Sequence, residues 1–534
     1  MAFHAAEAQP APASATLHWQ PNHVDLSSTA RAKVALFRSL FRGRDDLYAR
    51  RFESATTGKS GYAPACASEW VPGICRKPRI KCADCAHRAF LPLTDQVVYW
   101  HLCGHAPGEP PHRPFVAGVY PLREDETCFF LAADFDKAGW QDDAAAFVQA
   151  CRRLHLPVAL ERSRSGEGGH VWLFFETALP AAMARRLGSH LLTEAMEARP
   201  DIGLDSYDRL FPSQDTMPRG GFGNLIALPF QKEPRELGNS VFLNDGFMPW
   251  ADQWAFLANV GKIGRAQVEG IVREAEQRGR ILGVRLPMQE EGEDEPWTLP
   301  ASRRRKEPPL AGELPPTLEL VLADQIYIAR QGLPPGLMNR LMRLAAFQNP
   351  DFYRAQAMRL STYGKPRVIT CAEDHPLHLA LPRGCLDDVR RTLKDLGVRV
   401  TLRDERCSGQ PLDLRFHGEL RPEQTSAAQA LLAHQTGVLA ATTAFGKTVV
   451  AAWLIAQRGV NTLVLVHRQQ LLDQWIARLS AFLDLPANAI GRIGGGRRRP
   501  NGRIDVALIQ SLVNKGVVAD EVANYYGQLI VDEC

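Results

Sequence analysis

The chain is 534 residues long, with 45% hydrophobic and 23% charged residues and a formal net charge of +4. That length accommodates about three or four domains, and the composition is that of a globular protein, not a fibrous or disordered one. No apolar run reaches the roughly 18 residues of a membrane helix, and the small net charge excludes a chain-wide basic field for nucleic acid.

In chain order, residues 1–28 are Ala/Pro-rich, with neither a basic flank nor an apolar core, and read as a disordered lead-in, not a signal peptide. Basic residues are concentrated locally, at Arg42–Arg51, Arg76–Arg88, Arg303–Lys306 and Arg492–Arg503. Such runs suit phosphates and equally suit a solvated face. Of the 11 cysteines, Cys66, Cys75, Cys82 and Cys85 crowd together in the spacing C-x8-C-x6-C-x2-C. Without an export signal this points to reduced cytoplasm, and the closing tight pair to a tetrahedral zinc site, with His87 as the substitute ligand. The plainer reading, small buried thiols, is the one given to Cys103, Cys128 and Cys151.

Residues 29–260 read as a mixed α/β domain. Cys128–Ala133 and Val171–Phe175 are continuous apolar runs expected as buried strands, and Asp142–Leu154 is expected as a helix. Asp134 and Asp136 end the first strand. Residues two apart on a strand share a face, so both carboxylates can converge on a divalent metal pair, although two aspartates at a strand end are also common caps. The small-residue loop Ser163–Gly169 then delivers His170 to the base of the second strand, where it can meet a nucleotide phosphate. Residues 261–316 are expected as a helix and a linker, because the acidic QEEGEDEP and the proline-rich PASRRRKEPPLAGELPP hold too little apolar surface to fold. Residues 317–418 are expected as a small helical and α/β domain, with helices at Thr317–Gln331 and Leu337–Phe347 and a βα segment from Arg367 to Leu414.

From 419 to 534 the rhythm is that of a parallel α/β sheet. Gly437–Ala441 is expected as a short buried strand and Val449–Ala456 as helix. Between them, backbone N–H groups of Thr443, Ala444 and Gly446 are free to wrap phosphates, Lys447 adds a point charge, and the Thr448 hydroxyl reaches Mg²⁺. Ala441 stands where this loop pattern has its first glycine. Asp532 and Glu533 follow the apolar strand Leu529–Val531, placed to hold the metal and to orient the attacking water. Gln424, at the start of a helix, is placed to read the adenine edge of ATP or simply to open that helix. Gly491–Arg503 reads as a flexible basic loop.

These residues carry two resemblances. TAFGKT (443–448), LVLVHRQQLLDQW (463–475), DVALIQSL (505–512) and IVDE (530–533) resemble motifs I, Ia, Ic and II of superfamily 2 DEAD/DEAH helicases, most closely the XPB-like branch. The likeness extends back to about residue 320. It implies a RecA-like P-loop lobe, of which this stretch is the first, breaking off inside motif II, and it puts His467, Arg468 and Gln474–Trp475 on the nucleic-acid side. Asp134–Asp136, the loop into His170 and the segment FGNLIALPF (222–230) resemble archaeo-eukaryotic primases, or primase-polymerases. That resemblance implies a third acidic ligand upstream of LIALP. Asp215 is favoured, Asp208 is second, and Asp205 is the remaining candidate. GYAPACASEW, GICRKPRIKCADC, FLPLTDQVVYWHL and SYDRLFPSQD extend the likeness to the primase domain of TOTE conflict systems, which fuse a primase, an XPB-like helicase and often a nuclease.

The expectation is an α/β protein: a primase-type domain with a zinc-binding insertion, a small α/β domain, and the first P-loop lobe. Template-directed nucleotidyl transfer at Asp134, Asp136 and Asp215 with Mg²⁺ or Mn²⁺ would be joined to an ATP-dependent motor. DNA and nucleotides would be the partners, with an RNA primer or template and other conflict-system proteins as further candidates, and no membrane. Two competing readings are a catalytically silent nucleic-acid-binding module and a metal nuclease, the latter leaving the Ser163–His170 loop without a role.

Overall fold

The computed structural model describes residues 24–53, 58–77, 79–110, 113–199, 201–277, 310, 313–442, 444–514, 517–518 and 525–533. Most of the expected linker, the first 23 residues and Thr443 lie outside the described residues. The chain divides into two compact units, Met1–Glu313 with Pro334–Thr370, and Leu314–Leu333 with Cys371–Cys534.

The first unit holds two sheets. Strands β1 (Ala49–Glu53), β2 (Ser60–Pro64) and β3 (Ala117–Val119) precede β4 (Thr127–Phe135), β5 (Ala159–Arg162), β6 (Gly169–Pro180), β7 (Leu210–Phe211), β8 (Ile226–Ala227) and β9 (Val241–Leu243). The smaller sheet has the order β2-β1-β3-β8 and the larger β7-β4-β6-β5-β9. Every described pairing in both is antiparallel.

The apolar runs of β4 and β6 follow from burial on both faces. Leu131, Ala133, Phe135, Val171, Leu173 and Phe175 point into one core, which helices α3 (Trp140–Arg153), α4 (Ala181–Ala198) and α7 (Arg265–Gln277) also line. Phe130, Ala132, Trp172 and Phe174 point into a second core, with Ala117, Val119 and Ile226 of the smaller sheet and side chains of α1 (Ala30–Leu40) and α2 (Asp95–Cys103). Trp172 is completely buried, and burial of an aromatic that size contributes on the order of 3 kcal/mol. Two short helices, α5 (Lys232–Glu236) and α6 (Gln253–Asn259), complete this part.

The chain passes to the second unit for β10 (Thr317–Leu322) and β11 (Gln325–Ala329) and returns for α8 (Pro335–Leu344), β12 (Ala346–Gln348), α9 (Pro350–Ala357) and β13 (Val368–Thr370). The sequence puts 334–370 with the pre-helicase domain, whereas these residues pack on the primase-like unit. Asn339 of α8 donates to the Met196 carbonyl at the end of α4.

In the second unit, β14 (Glu373–Asp374), β15 (His378–Pro382) and β16 (Arg399–Asp404) join the hairpin in the order β14-β15-β11-β10-β16. The helix expected at 317–331 is therefore a β-hairpin. Leu318, Leu320 and Leu322 are buried while Thr317 and Glu319 are exposed, the period of two of a strand, and Ile326 and Ile328 repeat it. Apolar residues four apart in that run fit both periods, and β-branched side chains and a turn at Asp324 tip it to strand. Helix α10 (Leu386–Asp395) lies between β15 and β16.

The last sheet has the order β19-β18-β20-β17-β23. It contains β17 (Thr462–Val466), β18 (Gly491–Gly494), β19 (Arg497–Arg499), β20 (Ile504–Leu508) and β23 (Gln528–Val531), and a separate hairpin pairs β21 (Val513–Asn514) with β22 (Val517–Val518). β17 runs parallel to both β20 and β23. Helices α11 (Pro422–Leu432), α12 (Lys447–Arg458), α13 (Gln469–Phe482) and α14 (Ile509–Leu512) accompany it. Two expectations change. Gly437–Ala441 is not a strand, and Val438 is 80% exposed. Glycine and two alanines bury little surface, and Leu439 packs against Ala428, Val450 and Leu454 between α11 and α12. The basic loop is also ordered. β18 and β19 form a hairpin with Gly495 and Gly496 both at positive φ, as a tight two-residue turn requires. Among the described residues no helix is long and apolar enough to cross a membrane.

Candidate active sites

The first site lies at the end of β4. Asp134 and His170 are cross-strand partners on β4 and β6, and His170 and Glu161 are partners on β6 and β5. All three occupy the sheet face that buries Phe130, Trp172 and Phe174. His170 Nε2 is 3.7 Å from Asp134 Oδ1, and its Nδ1 is 3.0 Å from Glu161 Oε2. The Trp172 indole N–H donates to the same Glu161 oxygen at 2.9 Å. Burial opposes charge on His170, but the Glu161 carboxylate, with Asp134 behind it, prevails and holds its pKa above the ordinary histidine value.

Asp136 is paired with Arg209. The chain enters β7 at Leu210, opposite Ala133, so residues just before it lie at the Asp134–Asp136 end of β4 and residues after it run away from that end. Asp205 is accordingly close: Lys137 Nζ is 2.7 Å from its carboxylate, and Arg209 Nε is 3.8 Å away. Asp208 faces residues 350–370, its carboxylate accepting the Arg367 backbone N–H at 3.1 and 3.2 Å, and burial raises its pKa.

The favoured third ligand, Asp215, lies past β7 and is engaged in pairs of its own. Its carboxylate is 2.8 Å from the guanidinium of fully buried Arg185 and accepts from Gln356 at 3.2 Å. Its spacing to LIALP carries no information about the direction in which β7 leaves the site. Asp205 is linked to Asp136 through Arg209, which contacts both carboxylates, and Lys137 holds Asp205 from the other side. The sequence reading missed Glu161, Lys137 and Arg209. Lys137 and Arg209 adjoin residues already singled out, and Glu161 stands out only as a charge inside the apolar strand VALE.

The four cysteines and His87 line one cavity of ≈ 30 Å³, together with Glu69 and Lys77. Among the described residues no group of three or more His, Cys, Asp or Glu side chains is arranged to hold a metal ion.

The second site is at the start of α12. Gly446, at φ +91°, is its N-cap, and a Cβ there would come within 2.5 Å of Gln424 Nε2. Gln424 is buried and spends its amide on the backbone: Nε2 donates to the Phe445 carbonyl at 2.6 Å, and Oε1 accepts from Arg421 N–H at 2.9 Å. Ala444 adopts φ +68°, and Lys447 Nζ donates to the Ala441 carbonyl at 3.0 Å. Thr448 lies in the first turn of α12. At the end of β23, Asp532 Oδ2 accepts the Trp475 indole N–H at 2.7 Å, and Glu533 Oε2 is 3.5 Å from His467 Nε2. His467 and Trp475, which the resemblance puts on the nucleic-acid side, thus contact the acidic pair.

Residues 32–271 match the family described as the archaeo-eukaryotic primase domain of TOTE conflict systems, and residues 417–534 match the res subunit of type III restriction enzymes. A putative DNA 3′-5′ helicase Rad25 of Halobacterium salinarum is 37% identical over 113 residues, 21% of this chain and 18% of that protein. A DNA 3′-5′ translocase XPB2 of Sulfurisphaera tokodaii is 35% identical over 115 residues, 22% and 25% of the two chains. The chain thus spans a quarter or less of these relatives. The solved structure of T4 UvsW overlaps 41% of this chain and 47% of its own at 16% identity and a TM-score of 0.31, too loose an overlap to define a common fold. The chain thus carries, at residues 32–271, an archaeo-eukaryotic primase domain of the TOTE type, followed on the same chain by a segment that matches the type III restriction res subunit and is similar to helicases of the XPB and Rad25 kind.

Proposed function

We propose that the first unit is a template-directed nucleotidyltransferase, a primase-polymerase, and that the helicase segment binds and hydrolyses ATP to act on the same DNA. The observation that supports the first half is the pairing of Asp134 with His170 across β4 and β6, with Asp136 one residue beyond the end of β4. Carboxylate oxygens are hard donors suited to Mg²⁺ or Mn²⁺, and Asp134 and Asp136, with Asp205 as third acid, would hold them. Such metals supply activation of a primer 3′-hydroxyl and neutralisation of the departing pyrophosphate. His170, whose charged form Glu161 favours, is placed to meet the triphosphate, and Arg209 and Lys137 neutralise the acids until nucleotide and metal arrive.

In the helicase segment, Lys447 and the backbone of the Ala444–Gly446 loop take the phosphates of ATP, with Thr448 and Asp532 toward its Mg²⁺ and Glu533 toward the attacking water. Gln424 braces that loop, and it reads adenine only by exchanging those bonds. Four thiols lining one cavity, with His87 beside them, are a soft donor set of the chemistry structural zinc takes, and would need to draw together to close around it. Elemental analysis of the protein and of a Cys82→Ser/Cys85→Ser variant tests this: about one zinc in the first and none in the second is expected, and no zinc in either removes it. DNA processing in a defence or mobile-element setting completes the reading.

The test of the first half is to supply the protein with a primed template, Mn²⁺ and labelled nucleotides. Extension supports the polymerase. Shortening of the template would make the site a nuclease, and retention without chemistry would make the unit a silent binding module.

A further inference from the structure

Residues 350–370 lie beyond the stretch matched to the primase family, yet they are built into the first unit. The Arg367 backbone N–H is bound by Asp208, and its buried guanidinium contacts the Ser213 carbonyl. Burial, with Arg185 beside it, depresses the Arg367 pKa to about 9. The Thr362 hydroxyl, also buried, accepts from Gln214 at 2.6 Å. These anchors hold a loop whose tip is in water: Tyr363 is 96% exposed, and Leu360 beside it is exposed as well.

The loop continues into a basic edge. Arg219 N–H donates to the Arg359 carbonyl at 2.9 Å, which joins the loop to residues 216–222. A Cβ on Gly220 would stand 3.7 Å from the Ala83 carbonyl of the cysteine segment, the same carbonyl that accepts from Arg88 at 2.8 Å. Arg219 and Lys365 have no carboxylate within ion-pair distance among the described residues, and both are exposed. An aromatic ring in solvent on an anchored loop, beside unneutralised cations, matches a polyanion with flat bases. It is too small an apolar surface for a protein partner.

We propose that Tyr363, Arg219, Lys365 and Arg88 form a binding edge for single-stranded nucleic acid, with a base stacked on Tyr363 and phosphates tracked toward the cysteine segment. This deepens the polymerase reading and rests on it for the identity of the strand as template.

The test is fluorescence anisotropy of the full chain with a labelled oligothymidylate, without nucleotide or metal. Crosslinking with the same oligonucleotide carrying 5-iodouracil accompanies it. Tyr363→Ala weakens binding about tenfold while Tyr363→Trp retains it, and Arg219→Glu/Lys365→Glu lowers the salt slope by about 1.4. The crosslinked peptide contains Tyr363. Unchanged affinity in these variants with crosslinks elsewhere overturns the proposal, as does an effect confined to self-association. Failure of the polymerase reading looks different: the edge binds and crosslinks, but no nucleotide is ever incorporated.

Discussion

Asp134 and His170 face each other across neighbouring strands, with the imidazole Nε2 3.7 Å from the carboxylate and its other nitrogen on buried Glu161. A short relay thus leads from the sheet interior to the acid at the site. Glu161→Ala removes the acceptor of two donors, part-buried His170 and fully buried Trp172, and is expected to cost about 1–3 kcal/mol of stability and to suppress synthesis. Glu161→Gln keeps an acceptor for the indole and removes the charge. Thermal melts beside incorporation rates separate the two effects: a Gln variant with wild-type stability and wild-type synthesis would remove the relay.

Two of the three candidate third acids, Asp215 and Asp205, should respond in opposite ways. Asp215→Ala leaves Arg185 charged and fully buried without its carboxylate, which costs about 3–5 kcal/mol. Asp205→Ala, at a half-exposed position, should melt near wild type and lose synthesis. A stable, inactive Asp215→Ala with an active Asp205→Ala would return the ligand role to Asp215.

The buried His101 makes the first unit sensitive to acid. Its Nδ1 accepts from the Ala117 N–H at 3.1 Å and its Nε2 donates to the Pro229 carbonyl at 2.8 Å, so the ring is neutral, and burial lowers its pKa to about 4. A folded-state value below the unfolded 6.5 means that the unfolded chain takes up the proton first. The stabilisation is therefore complete above pH 6.5 and declines as the pH falls toward about 4, by on the order of 3 kcal/mol. Denaturant melts of wild type and His101→Gln at several pH values check this; equal acid sensitivity in both would contradict it.

At the nucleotide loop, Gly446→Ala should abolish ATP binding by a steric route. The methyl would enter the space of Gln424 Nε2 at a backbone φ of +91°. Isothermal titration with ATP·Mg²⁺ reads it out, and retained affinity would show that this loop is not the phosphate site.

Legibility in the sequence followed physical scale. The central strands were readable because β4 and β6 are buried on both faces, and a strand of that kind writes itself as an unbroken apolar run. The Asp134–Asp136 pair was readable because residues i and i+2 share a face without any tertiary information. The pairing of Asp215 with Arg185 is not legible because the direction in which the chain leaves β7 is a tertiary fact. Glu161 went unnoticed because its partner His170 is a cross-strand neighbour, and register is not written in either strand alone. The hairpin at 317–329 is not distinguishable from a helix in sequence because its leucines satisfy both periods, and pairing with β15 and β16, about fifty to eighty residues away, decides between them.

The central claim is that the β4–β6 end is a nucleotidyl-transfer centre independent of the nucleotide loop at Lys447. The most direct measurement is incorporation of labelled nucleotide on a primed template, with Mn²⁺, by wild type, Asp134→Ala and Lys447→Ala side by side. The account predicts extension by wild type and Lys447→Ala and none by a folded Asp134→Ala. Extension by Asp134→Ala at the wild-type rate would contradict it.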